Sequence, residues 1–242
     1  MRGHRRLATM LIFYQTPNSH RHKSRPNSQQ RLTMPSSKSD YIVTSSQSYI
    51  SRSASILVAP NVHSKGKSVI QKNVKIHGEF GASIHIGRYV HIDEDVEIVP
   101  SVIPISSDPL LSVGSSRSSS SSSIGNVDSN IMLQPPTDNE KALPTIIGSH
   151  TKIGNNCTIH SIAIGSCVRI GSNCKIFPRS KIHDCCIIEN DTVIPTDMVI
   201  PPFSRVRGNP ARIVGSLPEC CGVEFVEDCV QEYTGFVRKL GD

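Results

Sequence analysis

Two histidines of this chain, His160 and His183, follow directly after isoleucines of a repeated pattern and could do chemistry. A single imidazole can act as a general base on a hydroxyl or an amine. A catalytic zinc site needs about three protein ligands and a water, which one imidazole does not supply. Counted along the repeat, His160 lies over Phe177 and Pro195, whereas His183 lies over Gly165. We therefore predict that the two histidines occupy different corners, do not form a pair and are structural.

The eight cysteines are the second set of reactive side chains. None of them forms a CxxC pair, and a vicinal pair cannot easily form an internal disulfide or bind zinc with normal spacing. The vicinal pairs are Cys185-Cys186 and Cys220-Cys221. Three cysteines lie four residues after a repeat isoleucine, where a small buried side chain is expected: Cys157, Cys174 and Cys186. We therefore expect these three in the core and the chain in a reducing compartment.

The elements that position these side chains follow from an apolar residue that returns every sixth position from Ile164 to Val206. The members between them are Ile170, Ile176, Ile182, Ile188, Ile194 and Ile200. The same period precedes Ile164, after one deleted residue, at Ile147, Ile153 and Ile159, and earlier at Ile86, Ile92 and Ile98. A period of six matches neither a helix nor an alternating strand. It is typical of a parallel β-helix, in which three hexads form one triangular coil and each coil buries its apolar edge against its neighbours.

The chain is predicted to be all-β, with its β-helix between residues 38 and 217. Residues 41–60 are read as first strands and a lead-in to coils that start near Val69. Residues 105–143 have no apolar period and are rich in Ser and Pro, which predicts a disordered insertion that leaves the coils on either side stacked. Residues 218–242 change to helical spacing and predict an amphipathic helix that packs on the last coil or on a flank. Its predicted apolar side contains Val226, Val230, Tyr233 and Val237.

The charge is concentrated at the N-terminus. The net charge is +6, yet residues 1–39 carry eight Lys or Arg and no acid, so the rest of the chain is close to neutral. We read residues 1–37 as a disordered basic extension and expect neither nucleic-acid binding nor a membrane span, because no run approaches the ~18 apolar residues that a span needs. The leader also has the composition of a mitochondrial transit peptide, or it precedes a translation start at Met34.

From Ile70 to Val206 the chain resembles the γ-class carbonic anhydrases, through KIHGEF and IGRYVHIDEDVEIV. In that family three histidines hold a metal. The corresponding positions here are Val99, Asn155 and His160, so only the third histidine is present. The resemblance therefore implies that this chain has no metal site.

Two surrounding positions also differ from that family, because His77 replaces an arginine and Glu79 replaces an aspartate. The hexapeptide acyltransferases are the other enzyme class on such a coil, and they use one histidine as general base. For that chemistry His160 is the candidate and His183 is the next.

A closer resemblance covers about residues 38–240, apart from the Ser-rich insertion. The motifs that carry it are KSDYIVT, ISRSASIL, GKSVIQKNVKIHGEF, IGRYVHI, DCCIIENDTVIPTDMVIPPFSRVRGNP and LPEC. Together they are similar to the family of dynactin subunit 5. This resemblance implies a left-handed β-helix that works as a non-catalytic structural subunit at the pointed end of dynactin, in dynein-dependent microtubule transport and cargo-adaptor recruitment.

The same resemblance implies the partners and the location. The partners would be a related β-helical subunit, an actin-related protein, a zinc-binding-type subunit and cargo adaptors of dynein. The protein would be cytoplasmic and cytoskeleton-associated, and it would have no catalytic, metal-binding or cofactor-binding residues and no cofactor. The alternative is a γ-carbonic-anhydrase-like or acyltransferase enzyme, mitochondrial if the leader is a transit peptide.

The partner surface is predicted on the sides of the coils or on the first coil. Pro201, Pro202 and Pro210 lie near the last coil, where they would discourage the addition of a further strand. A lateral partner would be sensitive to charge reversal at Arg169 and Lys175.

Overall fold

The computed structural model describes residues 38–78, 81–104 and 140–241. The predicted basic extension, residues 1–37, lies outside the described residues. So do Glu79 and residues 105–139 of the predicted insertion.

Three sheets of parallel strands wind into a β-solenoid of about six coils. Sheet A contains β1 (Tyr41–Val43), β2 (Tyr49–Ser51), β5 (Val69–Ile70), β8 (His91–Ile92), β13 (Lys152–Ile153), β16 (Arg169–Ile170), β19 (Ile187–Ile188), β22 (Ser204–Arg207) and β23 (Arg212–Ser216). Sheet B contains β3 (Ser55–Leu57), β6 (Lys75–His77), β9 (Glu97–Ile98), β14 (Thr158–Ile159), β17 (Lys175–Ile176) and β20 (Val193–Ile194). Sheet C contains β4 (Val62–Ser64), β7 (Ile84–Ile86), β12 (Thr145–Ile147), β15 (Ala163–Ile164), β18 (Lys181–Ile182) and β21 (Val199–Ile200). The turns that join the sheets form three edges, which we call the A–B, B–C and C–A edges.

The isoleucine period sets the register of the coils, because repeat isoleucines of successive coils pair with each other. Ile159 pairs with Ile176, and Ile164 pairs with Ile182. The repeat isoleucines are buried in one continuous core, which a stack of short strands needs because no strand of two residues is stable alone. The predicted all-β fold, a left-handed parallel β-helix, is confirmed.

The solenoid begins one coil earlier than predicted. β2 already pairs in parallel with β5, and β3 and β4 complete a first coil before Val69. The apolar period was present there as well, at Ile50, Ile56 and Val62. Two 3-10 turns, Lys38–Asp40 and Ala59–Asn61, flank and interrupt this lead-in.

Glycines follow several repeat isoleucines because the coils approach closely there. A Cβ atom on Gly148 would lie 2.4 Å from the backbone carbon of Gly165 and 2.4 Å from the nitrogen of Ser166. Real Cβ atoms do not come this close, so any side chain at Gly148 would push two coils apart.

The coils remain stacked across the insertion. β12 pairs in register with β7, with Ile147 opposite Ile86. An antiparallel pair, β10 (Val102–Pro104) and β11 (Glu140–Ala142), closes the base of the insertion at the B–C edge. The predicted stacking across the insertion is confirmed. The predicted disorder of residues 105–143 is wrong at its end, because Glu140–Ala142 form β11.

The C-terminal helix α1, Cys221–Gly241, lies along the outer face of sheet A rather than over the last coil. Arg169 of β16 pairs with Asp228 at 2.7 Å, and Lys152 of β13 pairs with Glu232 at 2.5 Å. Farther along, the Phe236 ring packs against two first-coil aromatics of sheet A. Of the two positions left open by the sequence, the flank is the one occupied.

The buried side of α1 is shifted from the predicted one. Its buried residues are Cys221, Phe225, Cys229, Tyr233 and Leu240. Val226, Val230 and Val237 are only partly buried, so of the four predicted apolar residues Tyr233 alone is fully inside. None of the described helices has the length and apolar character needed to cross a membrane.

The two ends of sheet A are closed by antiparallel strands. β1 covers β2 at the first coil, and β23 covers β22 after the last. Sheets B and C have no such cover in the described part of the chain, so β3 and β4 are edge strands at one end and β20 and β21 at the other.

Candidate functional site

The candidate histidine, His160, lies at the B–C edge, directly after β14. Its backbone nitrogen donates to the Ile176 carbonyl at 2.8 Å, which places it over Phe177 as the spacing predicts. Val99 occupies the same position one coil earlier, because Ile98 pairs with Ile159. His160 is 5% exposed and Val99 is 2% exposed, so both point into the packed edge.

The ionisable groups that act on His160 are a histidine and a glutamate in contact with each other. His77 Nε2 lies 3.0 Å from a carboxylate oxygen of Glu97, on the neighbouring coils of sheet B. Burial lowers the pKa of His160 to about 4; the Glu97 carboxylate opposes this and His77 adds to it. At neutral pH the His160 imidazole is therefore uncharged and able in principle to accept a proton.

The short corner at His160 explains an unusual contact of Ser101. The corner between β14 and β15 has one residue fewer than its neighbours, which is the deletion seen before Ile164. At most other corners the nitrogen of the left-handed residue donates to a carbonyl of the preceding coil, whereas the Arg179 nitrogen donates to Ser101 Oγ at 3.0 Å. Ser101 Oγ in turn donates to the His160 carbonyl. The serine therefore fills the gap that the deletion leaves, and it holds the His160 backbone in place.

The three positions that correspond to metal ligands do not form a ligand set. Asn155 lies at the A–B edge, where its side-chain oxygen accepts from the Glu94 nitrogen at 3.1 Å. Val99 has no donor atom, and His160 is at a different edge of the same coil. Across residues 38–78, 81–104 and 140–241, no group of three His, Cys, Asp or Glu is arranged to hold a metal ion. These residues therefore do not fit the metal of the γ-class carbonic anhydrases.

His183 lies at the C–A edge, as predicted. Its coil position is opposite Gly165, because Ile164 pairs with Ile182. The side chain is exposed. The structure therefore does not bring His160 and His183 together.

The cysteines form two groups, one in the core of the solenoid and one at the C–A edge. Cys157, Cys174 and Cys186 are buried, and each thiol donates to a carbonyl of the following coil, which confirms the predicted core role. Sequence reasoning missed a second group at the C–A edge, where the thiols of Cys167, Cys185 and Cys221 lie close to one another. The signal was the spacing of 18 residues between Cys167 and Cys185, which places both at one corner of successive coils.

The thiol cluster joins the solenoid to the start of α1. Burial raises the pKa of the Cys167, Cys185 and Cys221 thiols. Burial also raises the pKa of the Cys229 thiol to about 11. Because a thiolate is the nucleophile and the metal ligand, these protonated thiols act as packing groups at neutral pH.

Arg169 is not available for a lateral partner. Its guanidinium pairs with Asp228 and lies 4.7 Å from the centre of the Phe225 ring, both on α1. The lateral surface proposed around Arg169 is therefore already occupied by the chain's own helix. Lys175, on the outer face of sheet B, remains exposed.

The fold and its edges define the class of protein. Six coils of hexads with an Ile ladder are the architecture of the hexapeptide-repeat β-helix proteins. Residues 123–240 match the family model described as Dynactin subunit 5. Over these residues the chain is similar to the dynactin subunit 5 family, so the resemblance predicted from the sequence is confirmed for this part of the chain. No curated protein sequence matches this chain significantly.

Solved structures with a similar fold are bacterial acyltransferases and related proteins. A mutant of AntD, an N-acyltransferase from Bacillus cereus in complex with dTDP and coenzyme A, is 12% identical, with a TM-score of 0.51 over 76% of this chain and 88% of that chain. A hexapeptide transferase family protein from Anaplasma phagocytophilum is also 12% identical, with a TM-score of 0.40 over 76% of this chain and 91% of that chain. At this identity the AntD similarity shows the fold alone.

Proposed function

We propose that this chain is a non-catalytic structural subunit of the pointed-end complex of dynactin, where it supports dynein-dependent microtubule transport and the recruitment of cargo adaptors. The observation that carries the proposal is the family match over residues 123–240, which spans the second half of the solenoid and nearly all of α1. In this role the protein is cytoplasmic and associated with the cytoskeleton.

The replaced ligand positions support a binding role rather than an enzymatic one. Val99 and Asn155 offer no imidazole, and His160 is nine-tenths or more buried, with its backbone fixed by Ser101. A general base must come within hydrogen-bond reach of a substrate proton. The buried His160 side chain does not meet this requirement, and we assign it to the stability of the edge instead.

The first coil is the end that we propose for the β-helical partner subunit. β3 and β4 are edge strands, and four apolar side chains around that end are between 38% and 50% exposed: Ile42, Val43, Leu57 and Val58. Unpaired strand edges and exposed apolar side chains are both stabilised by a second molecule that covers them. Val58 is also held at φ 52°, which is rare for a β-branched residue.

The sides of the coils remain as surfaces for the other partners. α1 covers sheet A, so the outer faces of sheets B and C are the lateral surfaces left for an actin-related protein, a zinc-binding-type subunit or a cargo adaptor. Charge reversal at Arg169 therefore no longer tests for a lateral partner. Charge reversal at Lys175 still does, because Lys175 lies on sheet B.

Co-purification tests the proposed assembly. The tagged chain with Leu57→Asp and Val58→Asp is compared with a Val223→Asp chain, which makes the same kind of change at an exposed position of α1. We expect the first-coil variant to lose the β-helical partner at least tenfold, while the α1 variant keeps it. Equal recovery from both variants would contradict the placement on the first coil, and failure of the unmodified chain to recover any dynactin subunit would contradict the function.

A second candidate function, acyl transfer, has one observation in its favour. His160 is neutral at pH 7 because burial lowers its pKa, and the AntD structure shows that this fold supports N-acyltransferases. An acyl-coenzyme A hydrolysis and transfer assay on the purified chain tests it. The acyl-transfer function requires turnover that His160→Ala abolishes, whereas a structural subunit shows no turnover with either protein.

A further inference from the structure

A furrow runs over the outer face of sheet C beside the C–A edge. Its volume is about 580 Å³, which is enough space for a few side chains of a partner. The residues that give it chemical character are His63, Lys65, His85, Ile146, Ser149 and Ser166. They lie on or directly after four successive strands of sheet C, so the furrow follows the axis of the solenoid.

The C–A edge next to the furrow carries positive charge. Lys65 and Arg88 are exposed, and none of the ion pairs found among the described residues includes either of them. Lys67 is on the same edge, where its ammonium lies 3.2 Å from the Tyr89 hydroxyl. Along this edge the first acidic residue is Asp184, and its carboxylate already accepts from the Ser166 nitrogen at 2.7 Å.

The charge of this edge is not a general property of the surface. The A–B edge of the same solenoid carries the opposite sign, through Asp93, Glu94, Asp95, Glu189 and Asp191. The Arg88 guanidinium also contributes, after burial, to lowering the pKa of His150. Positive potential is therefore concentrated on one edge of a β-helix whose described body is close to neutral.

The opposite wall of the furrow is apolar and aromatic. The His63 and His85 rings stack with their centres 5.1 Å apart, and His85 Nε2 lies 3.0 Å from Ser83 Oγ. Ile146 continues this wall and is 49% exposed, on the outer side of β12. A ligand in the furrow would therefore contact an apolar surface on one side and cations on the other.

We propose that this furrow binds an extended acidic segment of a partner protein, with carboxylates toward Lys65 and Arg88 and an apolar side chain over Ile146. An apolar centre with a charged rim is the usual composition of a protein interface. A nucleic acid is disfavoured, because tight binding to a phosphate backbone commonly uses six to ten cation contacts, far more than this edge offers, and would leave Ile146 uncovered. The furrow would bind such a segment whether or not the chain is part of dynactin.

Fluorescence anisotropy with the purified full chain tests this proposal. The probe is a fluorescein-labelled peptide of repeated Glu-Val-Glu-Ser, and the comparison ligands are the same peptide with Lys for Glu and a single-stranded oligo-dT of equal length. The furrow variant is Lys65→Glu with Arg88→Glu. The matched control is Lys239→Glu with Arg238→Glu, which makes the same charge change at two exposed positions of α1.

The proposal predicts binding of the acidic peptide that weakens as salt is raised. It predicts at least a tenfold weaker affinity in the furrow variant, about a threefold weaker affinity in Ile146→Ser, and a change of less than twofold in the control. Circular dichroism and thermal melting verify that every variant is folded, which we expect because all five substituted residues are exposed.

Three outcomes would overturn the proposal. They are no binding of the acidic peptide to the unmodified chain, equal affinity in the furrow variant and the control, and oligo-dT binding at least as tight as the peptide with no effect of Ile146→Ser. The last outcome would identify the edge as a general polyanion surface. Incorporation of the furrow variant into dynactin is measured separately, so loss of peptide binding with normal incorporation separates this furrow from the proposed assembly.

Discussion

The A–B and C–A edges use the same backbone turn with different residues. Each has one residue per coil in the left-handed region, with φ between 52° and 59°. At the A–B edge these residues are Asn73, Asp95, Asn156, Asn173 and Asp191. At the C–A edge they are Lys67, Tyr89, His150, Cys167, Cys185 and Phe203. Asn and Asp adopt this conformation readily, whereas Lys, Tyr, Cys and Phe do so at a cost.

The difference reflects what each edge contacts. At the A–B edge the side chains bond to each other along the solenoid: the Asn173 amide donates to Asp191 at 3.0 Å and accepts from Asn156 at 3.0 Å. At the C–A edge Tyr89 packs against Tyr233 of α1 instead, with ring centres 5.6 Å apart. The A–B edge is therefore stabilised by hydrogen bonds among its own side chains. The C–A edge has residues that are less favourable in the left-handed conformation, and it provides a contact surface for α1.

The largest expected effect is at the closest approach of two coils. Gly148→Ala at the C–A edge places a methyl group 2.4 Å from backbone atoms, while Gly154→Ala at the A–B edge meets backbone at 2.8 Å. We expect Gly148→Ala to exceed the usual cost of overpacking, about 1–3 kcal/mol, because backbone cannot move aside, and Gly154→Ala to cost less. Urea unfolding measures both. Gly235→Ala in α1, where nothing lies within 4 Å, is the control, and an equal loss in all three would contradict this account.

The second largest effect is expected when the contact between α1 and the C–A edge is removed. Tyr233→Ala removes the packing on Tyr89 and Tyr49 and the hydrogen bond from its hydroxyl to the Gln47 carbonyl, 2.7 Å long. We expect a loss of about 3–4 kcal/mol, in the range for large buried aromatic residues. Limited proteolysis should then cut α1 while the coils persist. Tyr233→Phe should cost about 1 kcal/mol, because it removes only the hydrogen bond. Resistance of α1 in Tyr233→Ala would show that the C–A edge does not hold the helix.

The B–C edge adds a pH dependence to the comparison. His160 has a folded-state pKa of about 4, below the ordinary 6.5, so between pH 6.5 and 4 the unfolded chain binds a proton that the folded chain does not. The free energy of unfolding should fall across this window by up to about 3 kcal/mol, and His160 should cause no further loss below it. Urea unfolding of the wild type and of His160→Gln at pH 7 and pH 4.5 measures this. A slope that the substitution leaves unchanged would contradict burial of the imidazole.

The smallest change in the free energy of unfolding is expected from alanine substitutions at equivalent turn positions of the two edges. Asn173→Ala breaks the side-chain ladder and puts a Cβ-bearing residue without a local hydrogen bond in the left-handed region, which should cost about 1 kcal/mol. Lys67→Ala at the C–A edge exchanges one unfavourable residue for another, so the free energy of unfolding should change by less than about 0.5 kcal/mol. Equal losses would mean that the two edges do not differ in the way proposed.

The coils were predictable because one residue type, isoleucine at every sixth position, determines which residues of successive coils pair. Ile at every sixth position specified strands, stacking and continuity across the insertion, and it extended to the first coil at Ile50 and Ile56, where Ser-rich surroundings hid it. The position of α1 was not predictable, because its attachment depends on pairs such as Arg169 with Asp228, which are 59 residues apart. For the same reason the buried side of the helix was misplaced: Cys229 faces the solenoid, and a thiol has no strong preference that the helical pattern alone would reveal.

The candidate site was partly predictable. The replaced ligand positions followed from the resemblance, and the separate corners of His160 and His183 followed from counting along the repeat. The neutral state of His160 did not, because it arises from burial between coils, which the spacing of the repeat does not specify.

The most direct test of the central claim is mass spectrometry of the proteins that co-purify with the tagged chain from its own cells at moderate salt, with the metal content of the same sample. The account predicts an actin-related protein and a second β-helical subunit in near-equal amounts with this chain, and no bound metal. A metal-containing homotrimer without these partners would contradict it and would restore His160 as a candidate catalytic residue.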